Sequence, residues 1–178
     1  MSRILGTETL LAQLERLGVS PEECLKKSMG KETKRVQATA KLLCSVNHGE
    51  LRNSIKTKVD VSDGKVTGVV YTNKAYAPYV EFGTGPIGEQ NHAGISPEVT
   101  PAYSQGPWWI HESQIDAGDA ERYHFFKIET PDGVFYQTHG HPAQPFMYPA
   151  LKVNEENIQR GINEDLRRQI AQAIRGAN

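Results

Sequence analysis

The sequence predicts an α+β fold in which an antiparallel sheet is packed by two N-terminal helices and a long C-terminal helix and carries a long aromatic-rich loop and hairpin insertion. Three observations predict it. Apolar residues recur at helical spacing over residues 10–44 and again over 158–174. Between these stretches the period falls to two on either side of the turn "SDG" at 62–64. A second hairpin signal, "PDG" at 131–133, lies among eight of the chain's fourteen aromatics. At 178 residues the chain is expected to form one domain, 1–178, with residues 86–138 as the insertion.

Leu10, Leu11, Leu14 and Leu17 share one helical face, and Gly18 closes that first helix. In "SPEE" Ser20 can cap the N–H groups that follow, Pro21 suits a first turn, and Glu23 completes a capping box, so a second helix starts at Pro21. Its apolar face reads Leu25, Met29, Val36, Ala40 and Leu43, with Cys24 and Cys44 at the edges, and its end is expected near Asn47 to Gly49. From Arg52 onward Ile55, Thr57, Val59 and Val61 alternate with Lys56, Lys58 and Asp60, a half-buried strand whose hairpin partner is "KVTGVVYTN". "AYAPYVEFG" reads as a third extended piece, because Pro78 disfavours helical geometry at Ala77; as a strand it places Tyr79, Glu81 and Gly83 on one face. "YHFFKIET" and "VFYQTH" flank the second turn. From Pro149 the stripe Ile158, Ile162, Leu166, Ile170 and Ile174 marks a long amphipathic helix, interrupted by Gly161 and expected to pack on the sheet.

Twenty basic side chains face 21 acidic ones, a net charge of −1, so no global field calls for nucleic acid or an anionic membrane. The charges are nevertheless sorted along the chain. Residues 26–41 hold six basic side chains against Glu32 alone, whereas residues 81–133 hold nine acidic ones against Arg122 and Lys127. Cys24 and Cys44 are too far apart for a C-x-x-C pair and read as reduced thiols in a helical core. No signal-peptide pattern and no apolar run of membrane-spanning length is present, so a soluble protein made in the cytoplasm is expected, with no membrane partner.

Three constellations could carry chemistry. Gly83, Gly85 and Gly88 in "EFGTGPIG" have the G-x-G-x-x-G spacing of a dinucleotide site. That site needs a helix opening at the third glycine and an acidic residue about 20 positions later. Pro86, Gly94, Pro97 and Pro101 argue against any such helix, so the glycines read as a sharp chain reversal and no cofactor is expected. His111, Glu112, His124, His139 and His141 could form a metal or acid–base site, the basis of an alternative reading as a small metal-dependent hydrolase. "HESQI" lacks the second His of H-E-x-x-H, however, and surface or interface histidines are the plainer reading. Finally, Tyr103, Trp108, Trp109, Tyr123, Phe125, Phe126, Phe135 and Tyr136 crowd a region of flexible acidic sequence. Adjacent tryptophans on an extended segment point to opposite sides, so at least one of them is expected to face a partner or a solvent rim. Acidic loops with aromatics argue against nucleic acid.

Three segments, "GELRNSIKTKV" at 49–59, "AYAPYVEFGTG" at 75–85 and "GHPAQPFMYPAL" at 140–151, resemble in order and spacing the signature stretches of the tail-component family of siphophages, also called head–tail joining or neck proteins. The resemblance implies a small α+β structural protein without catalytic residues, working where the DNA-filled head meets the tail. Related tail-completion proteins assemble as rings, often six-fold. The implied partners are further copies of the chain, the tail tube or its terminator, and a head-completion or connector protein, with DNA passing through unbound. A minor tail protein acting elsewhere on the tail is the alternative within the same family.

A ring of identical subunits requires two different, complementary surfaces on each. The basic Lys27, Lys31, Lys34 and Arg35 and the acidic Glu112, Asp116, Asp119 and Glu121 are the charges expected at the ring interface or its lumen, where an acidic wall would let phosphates slide. Tyr79, Glu81, Phe82, Gly83, Thr84, Gly85, Trp108, Trp109, Phe146 and Tyr148 are the expected contact residues, with Pro145 fixing an extended lead-in to the last helix.

Overall fold

The computed structural model describes residues 7–46, 49–122 and 125–176. In chain order the elements are α1 (Thr7–Arg16), α2 (Pro21–Leu43), α3 (Glu50–Ser54), β1 (Lys56–Ser62), β2 (Lys65–Tyr71), α4 (Ala77–Phe82) and α5 (Gly85–Gln90). They continue with β3 (Trp108–His111), a 3-10 turn (Glu112–Gln114), α6 (Ala117–Arg122), β4 (Phe126–Thr130), β5 (Gly133–Thr138) and α7 (Met147–Gly176). This is the α+β class, with all strand pairing antiparallel, but the strands form two sheets, β1-β2 and β3-β5-β4. The chain divides into two compact units, Met1–Lys74 with Phe146–Asn178, and Ala75–Pro145.

In the first unit the predicted caps operate. Gly18 takes φ 71° after α1, and the Ser20 hydroxyl accepts from the Glu23 N–H at 3.3 Å at the start of α2. The latter helix stops earlier than expected, at Leu43, where Cys44 turns extended while its N–H still reaches the Ala40 carbonyl. Asn47, in the expected end, lies outside the described residues. The buried stripe of α2 also runs beside the predicted one: Cys24, Ser28, Glu32, Thr33, Val36 and Ala40 face inward, and Leu43 is largely exposed. Both cysteines are therefore central rather than marginal; they are free thiols, and burial pushes the Cys24 pKa up.

The stripe of α7 packs on α2 and α1, not on the sheet as expected. Ile162, Leu166 and Ile170 bury against Leu14 and Cys24, ringed by Leu10, Leu11, Val19, Leu25, Met29 and Ile158. Each buried Leu or Ile stabilises the unit by about 2 kcal/mol relative to exposure. The opposite flank of α2 takes the hairpin, whose two-residue turn Asp63-Gly64 has positive φ at both positions, as a tight hairpin with right-handed twist requires. Helix and hairpin approach closely because position 68 has no side chain; a Cβ there would strike the Thr33 hydroxyl.

Running along the α2–α7 contact is a line of polar groups. Gln169 donates to the Ser28 hydroxyl at 3.2 Å, Lys31 to Asp165 at 2.7 Å, and Asn154 to the Thr39 hydroxyl at 2.9 Å. Asp165, although 4% exposed, also pairs with Arg168, so its charge is doubly compensated. Glu32 is equally buried and less well served: Arg35 Nε lies 3.4 Å from its Oε2, which has no hydrogen-bond partner among the described residues. Burial raises the Glu32 pKa; Arg35 and Lys31 oppose the rise, and Asp165 and Glu164 reinforce it.

The second unit departs most from expectation. "AYAPYVEFG" is the helix α4 instead of a strand, because Pro78 occupies its first turn, where a missing N–H costs no hydrogen bond. Glu81 is consequently buried while Tyr79 is exposed, and the two do not share a strand face with Gly83. The three-stranded sheet places β5 centrally, with Trp108↔Thr138 and Phe126↔Gln137 fixing the registers of its neighbours.

A carboxyl with a raised folded-state pKa stabilises the fold below its unfolded pKa and loses that contribution as pH rises through the folded value. Glu32→Gln is therefore expected to stabilise the protein in urea unfolding near neutral pH, with the gain shrinking to nothing in acid. Gly161 presents a second test. Alanine in a helix normally gains about 1 kcal/mol over glycine, but a Cβ here would collide with Glu32 Oε1. Gly161→Ala should destabilise the wild type and stabilise a Glu32→Ala background in the same assay.

Candidate assembly surface

The glycine-rich loop of the second unit is a backbone junction. Thr84 and His141 pair antiparallel, Thr84 N–H donating to the His141 carbonyl at 3.0 Å and His141 N–H to the Thr84 carbonyl at 3.2 Å. The Ile87 N–H reaches the His139 carbonyl, the Ala143 N–H the Asn91 carbonyl, and the Gln144 N–H the Val80 carbonyl. Two of the three sequence segments that carry the family resemblance thus lie against each other. Side chains would not fit between them. Gly140, at φ 90°, would drive a Cβ into the Thr84 carbonyl, and Gly85, at φ 60°, would place one 2.5 Å from the His139 oxygen and 2.8 Å from the Trp108 ring. Gly83 and Gly88 are confined in the same way by His141 and by each other.

A short helix, α5, does begin at Gly85, with Pro86 in its first turn, contrary to the expectation that prolines would bar one there. The element before the glycines is a helix, however, and not the strand that leads into a dinucleotide-binding turn. Residues 91–107 are tied down as well: Tyr103 donates its hydroxyl to the Phe82 carbonyl at 2.8 Å and stacks on His92. Burial and, after it, Glu89 push the Tyr103 pKa up.

The adjacent tryptophans diverge as an extended segment requires. Trp108 turns toward Gly85, while Trp109 is 41% exposed and packs beside Phe126, which is 64% exposed, with ring centroids 6.1 Å apart. The register places Trp109, Phe126, Ile128, Phe135 and His111 on one face of the sheet. Of the other expected contact residues, Tyr79 is exposed, Phe82 and Thr84 are half-buried, and Glu81, Gly83 and Gly85 are buried. Phe146 and Tyr148 belong to the first unit, where Phe146 is fully buried and Tyr148 half-buried at the start of α7. That helix begins at Met147, two residues before Pro149, which fits within its first turn.

The expected charges differ in availability. Lys31 and Arg35 are paired with Asp165 and Glu32, whereas Lys27 and Lys34 are exposed and take no ion pair among the described residues. On the acidic side Glu112 accepts from the Val134 N–H at 3.1 Å and Asp116 from the Gly118 N–H at 2.9 Å; Glu121 is exposed and Asp119 half-buried.

The histidines are dispersed in their contacts. His111 meets the Ser113 hydroxyl at 2.7 Å and the Asp132 carbonyl at 3.1 Å, and its ring stands edge-on to Phe135, so with Glu112 it clamps the 131–133 turn. His141 Nδ1 faces the Pro142 carbonyl, and His124 and Tyr123 lie outside the described residues. Among the described residues no three His, Cys, Asp or Glu side chains are grouped to hold a metal ion, and no helix is long and apolar enough to cross a membrane.

Sequence reasoning missed two parts of this surface. The exposure of Phe126 and Ile128 was signalled by their alternation with Lys127 and Glu129, which are also exposed, so that β4 is an edge strand wet on both faces. On the first unit, Leu42 and Val46 protrude at 78% and 57% exposure; reading Leu43 as part of the buried stripe concealed this.

Residues 8–83 match the model of a protein family described as "Bacteriophage HK97-gp10, putative tail-component". Over this stretch, from α1 to the turn after α4, the chain is similar to that family; the segment at 140–151 lies beyond it. No curated protein and no solved structure matches the chain.

The junction makes one position decisive. Gly140→Ala combines a positive φ with a collision against backbone and is expected to cost about 3 kcal/mol or more. It should also move the Trp108 emission, both read by fluorescence-detected unfolding. A change within a few tenths of a kcal/mol would contradict the junction.

Proposed function

We propose that the chain is a non-enzymatic component of a tailed-phage virion that assembles with its own copies into a ring, in the manner of the often six-fold rings of related tail-completion proteins, at the junction of head and tail. The ring would meet the tail tube or its terminator on one side and a head-completion or connector protein on the other. One observation carries this reading. Similarity to a phage tail-component family over residues 8–83 ends at Gly83, and the junction formed there is completed by "GHPAQP", part of the third segment that resembles the same proteins.

The surfaces support a docking role. The second unit presents aromatic side chains to solvent on a sheet face, where large rings are efficient anchors for a partner. Its helix α6 and the preceding turn carry Asp116, Asp119 and Glu121. An acidic wall of this kind would let DNA pass without holding it.

Labelling tests the assignment. Antibody–gold directed at an epitope tag on the chain is expected at the head–tail junction of intact particles, and loss of the protein should leave filled heads and complete tails unjoined. Label at the tail tip or along the tube would move the protein elsewhere on the tail. Particles carrying no label would contradict a virion role.

A further inference from the structure

The two units carry opposite charge. The second, Ala75–Pro145, holds nine acidic side chains against two basic ones, a formal −7; the first holds eighteen basic against twelve acidic, a formal +6. Each also exposes large apolar side chains to solvent. On the second unit these are Trp109, Phe126 and Ile128 on one sheet face, beside Glu112 and Asp132. On the first these are Leu42 and Val46 at and just beyond the C-terminal end of α2, next to Lys41, which with Lys27 and Lys34 forms a set spaced seven residues apart along the outer side of the helix. Seven residues are nearly two full turns, so the three lysines form a row spaced at about 10 Å. None of them is in an ion pair among the described residues, unlike Lys31 and Arg35 between them.

We infer that the Trp109–Phe126–Ile128 face of one copy docks on the lysine row and Leu42 of α2 in a second copy. The inference rests on the reading of this chain as a self-assembling component and names the contact that reading leaves open. The two patches are different surfaces of one chain, so the contact is head-to-tail: it leaves a free face at each end and propagates until a ring closes. Opposite charges steer the encounter and set the register, and the apolar centres supply the durable part of the affinity.

Two variants test it in sedimentation velocity, with the full chain studied up to its solubility limit at low and high salt. Lys27→Glu/Lys34→Glu/Lys41→Glu spoils the row, and Phe126→Lys spoils the face; both alter exposed or half-buried side chains, and circular dichroism verifies that each still folds. The wild type is expected to self-associate more weakly as salt rises, and each variant to raise the dissociation constant at least about tenfold. Mixed together, the two variants should form a one-to-one heterodimer and nothing larger, because each retains one intact face. A wild type that stays monomeric, a variant that assembles normally, or a mixture that stays monomeric would overturn the contact. So would a lysine variant that loses binding to duplex DNA while assembling as before, since the row would then serve DNA. Presence of the chain in purified particles alongside such a result would leave the virion reading standing and remove this contact alone.

Discussion

The second unit depends on the backbone pairing of Thr84 with His141. Five inter-segment N–H···O=C bonds tie residues 80–91 to 139–144, and they can form only because side chains are absent where the two segments touch. A Cβ at Gly140 would occupy the place of the Thr84 carbonyl, and one at Gly85 would press on both the His139 carbonyl and the Trp108 ring. All of residues 92–138 lie between the two paired segments, so the junction closes the base of the insertion as a clasp closes a loop. It also bears on orientation: Trp108 packs over Gly85, which leaves its neighbour Trp109 on the opposite side of β3, beside Phe126 and open to solvent.

The first unit rests on a different compromise. Its core is ordinary in composition, Leu14, Ile162, Leu166 and Ile170 with their neighbours, yet buried carboxylates run beside it. Asp165 is matched by two cations, Lys31 and Arg168. Glu32 has a partial partner in Arg35 and displaces what would otherwise be a side chain at position 161. Buried charge of this kind adds little net stability but penalises any sliding of α2 along α7, because a shifted register would strand it. The same seam pairs Lys31 and Arg35, whereas Lys26, Lys27, Lys34 and Lys41 take no ion pair among the described residues.

Legibility in the sequence followed the range of the forces involved. Signals that act within a few residues were readable: the Ser20 cap, the Asp63-Gly64 hairpin, the 131–133 turn and the divergence of Trp108 and Trp109. What failed was set by distant partners. "AYAPYVEFG" contains Pro78, compatible both with an extended lead-in and with a first helical turn, and the Val80–Gln144 pairing that accompanies the helical choice lies more than sixty residues away in sequence. The α7 stripe was legible as a stripe, but whether a sheet or two helices would cover it was not encoded in its periodicity. For the site, the glycine spacing was visible and its cause was not, since the reason for Gly83, Gly85 and Gly88 is a facing backbone at 139–143. Similarity to a tail-component family was legible from short segments, and the family match bears it out over residues 8–83.

A docking protein needs surfaces that are stable alone and incomplete in use. This chain pairs a rigidly closed insertion of strong negative charge with a helical unit of strong positive charge, each exposing large apolar side chains. The central claim, that these surfaces serve assembly into a phage particle, is tested most directly by quantitative mass spectrometry of purified virions. The account predicts a small, fixed number of copies of this chain per particle, retained through washing at high salt. Its absence from particles, with the protein recovered only from the surrounding lysate, would contradict the account.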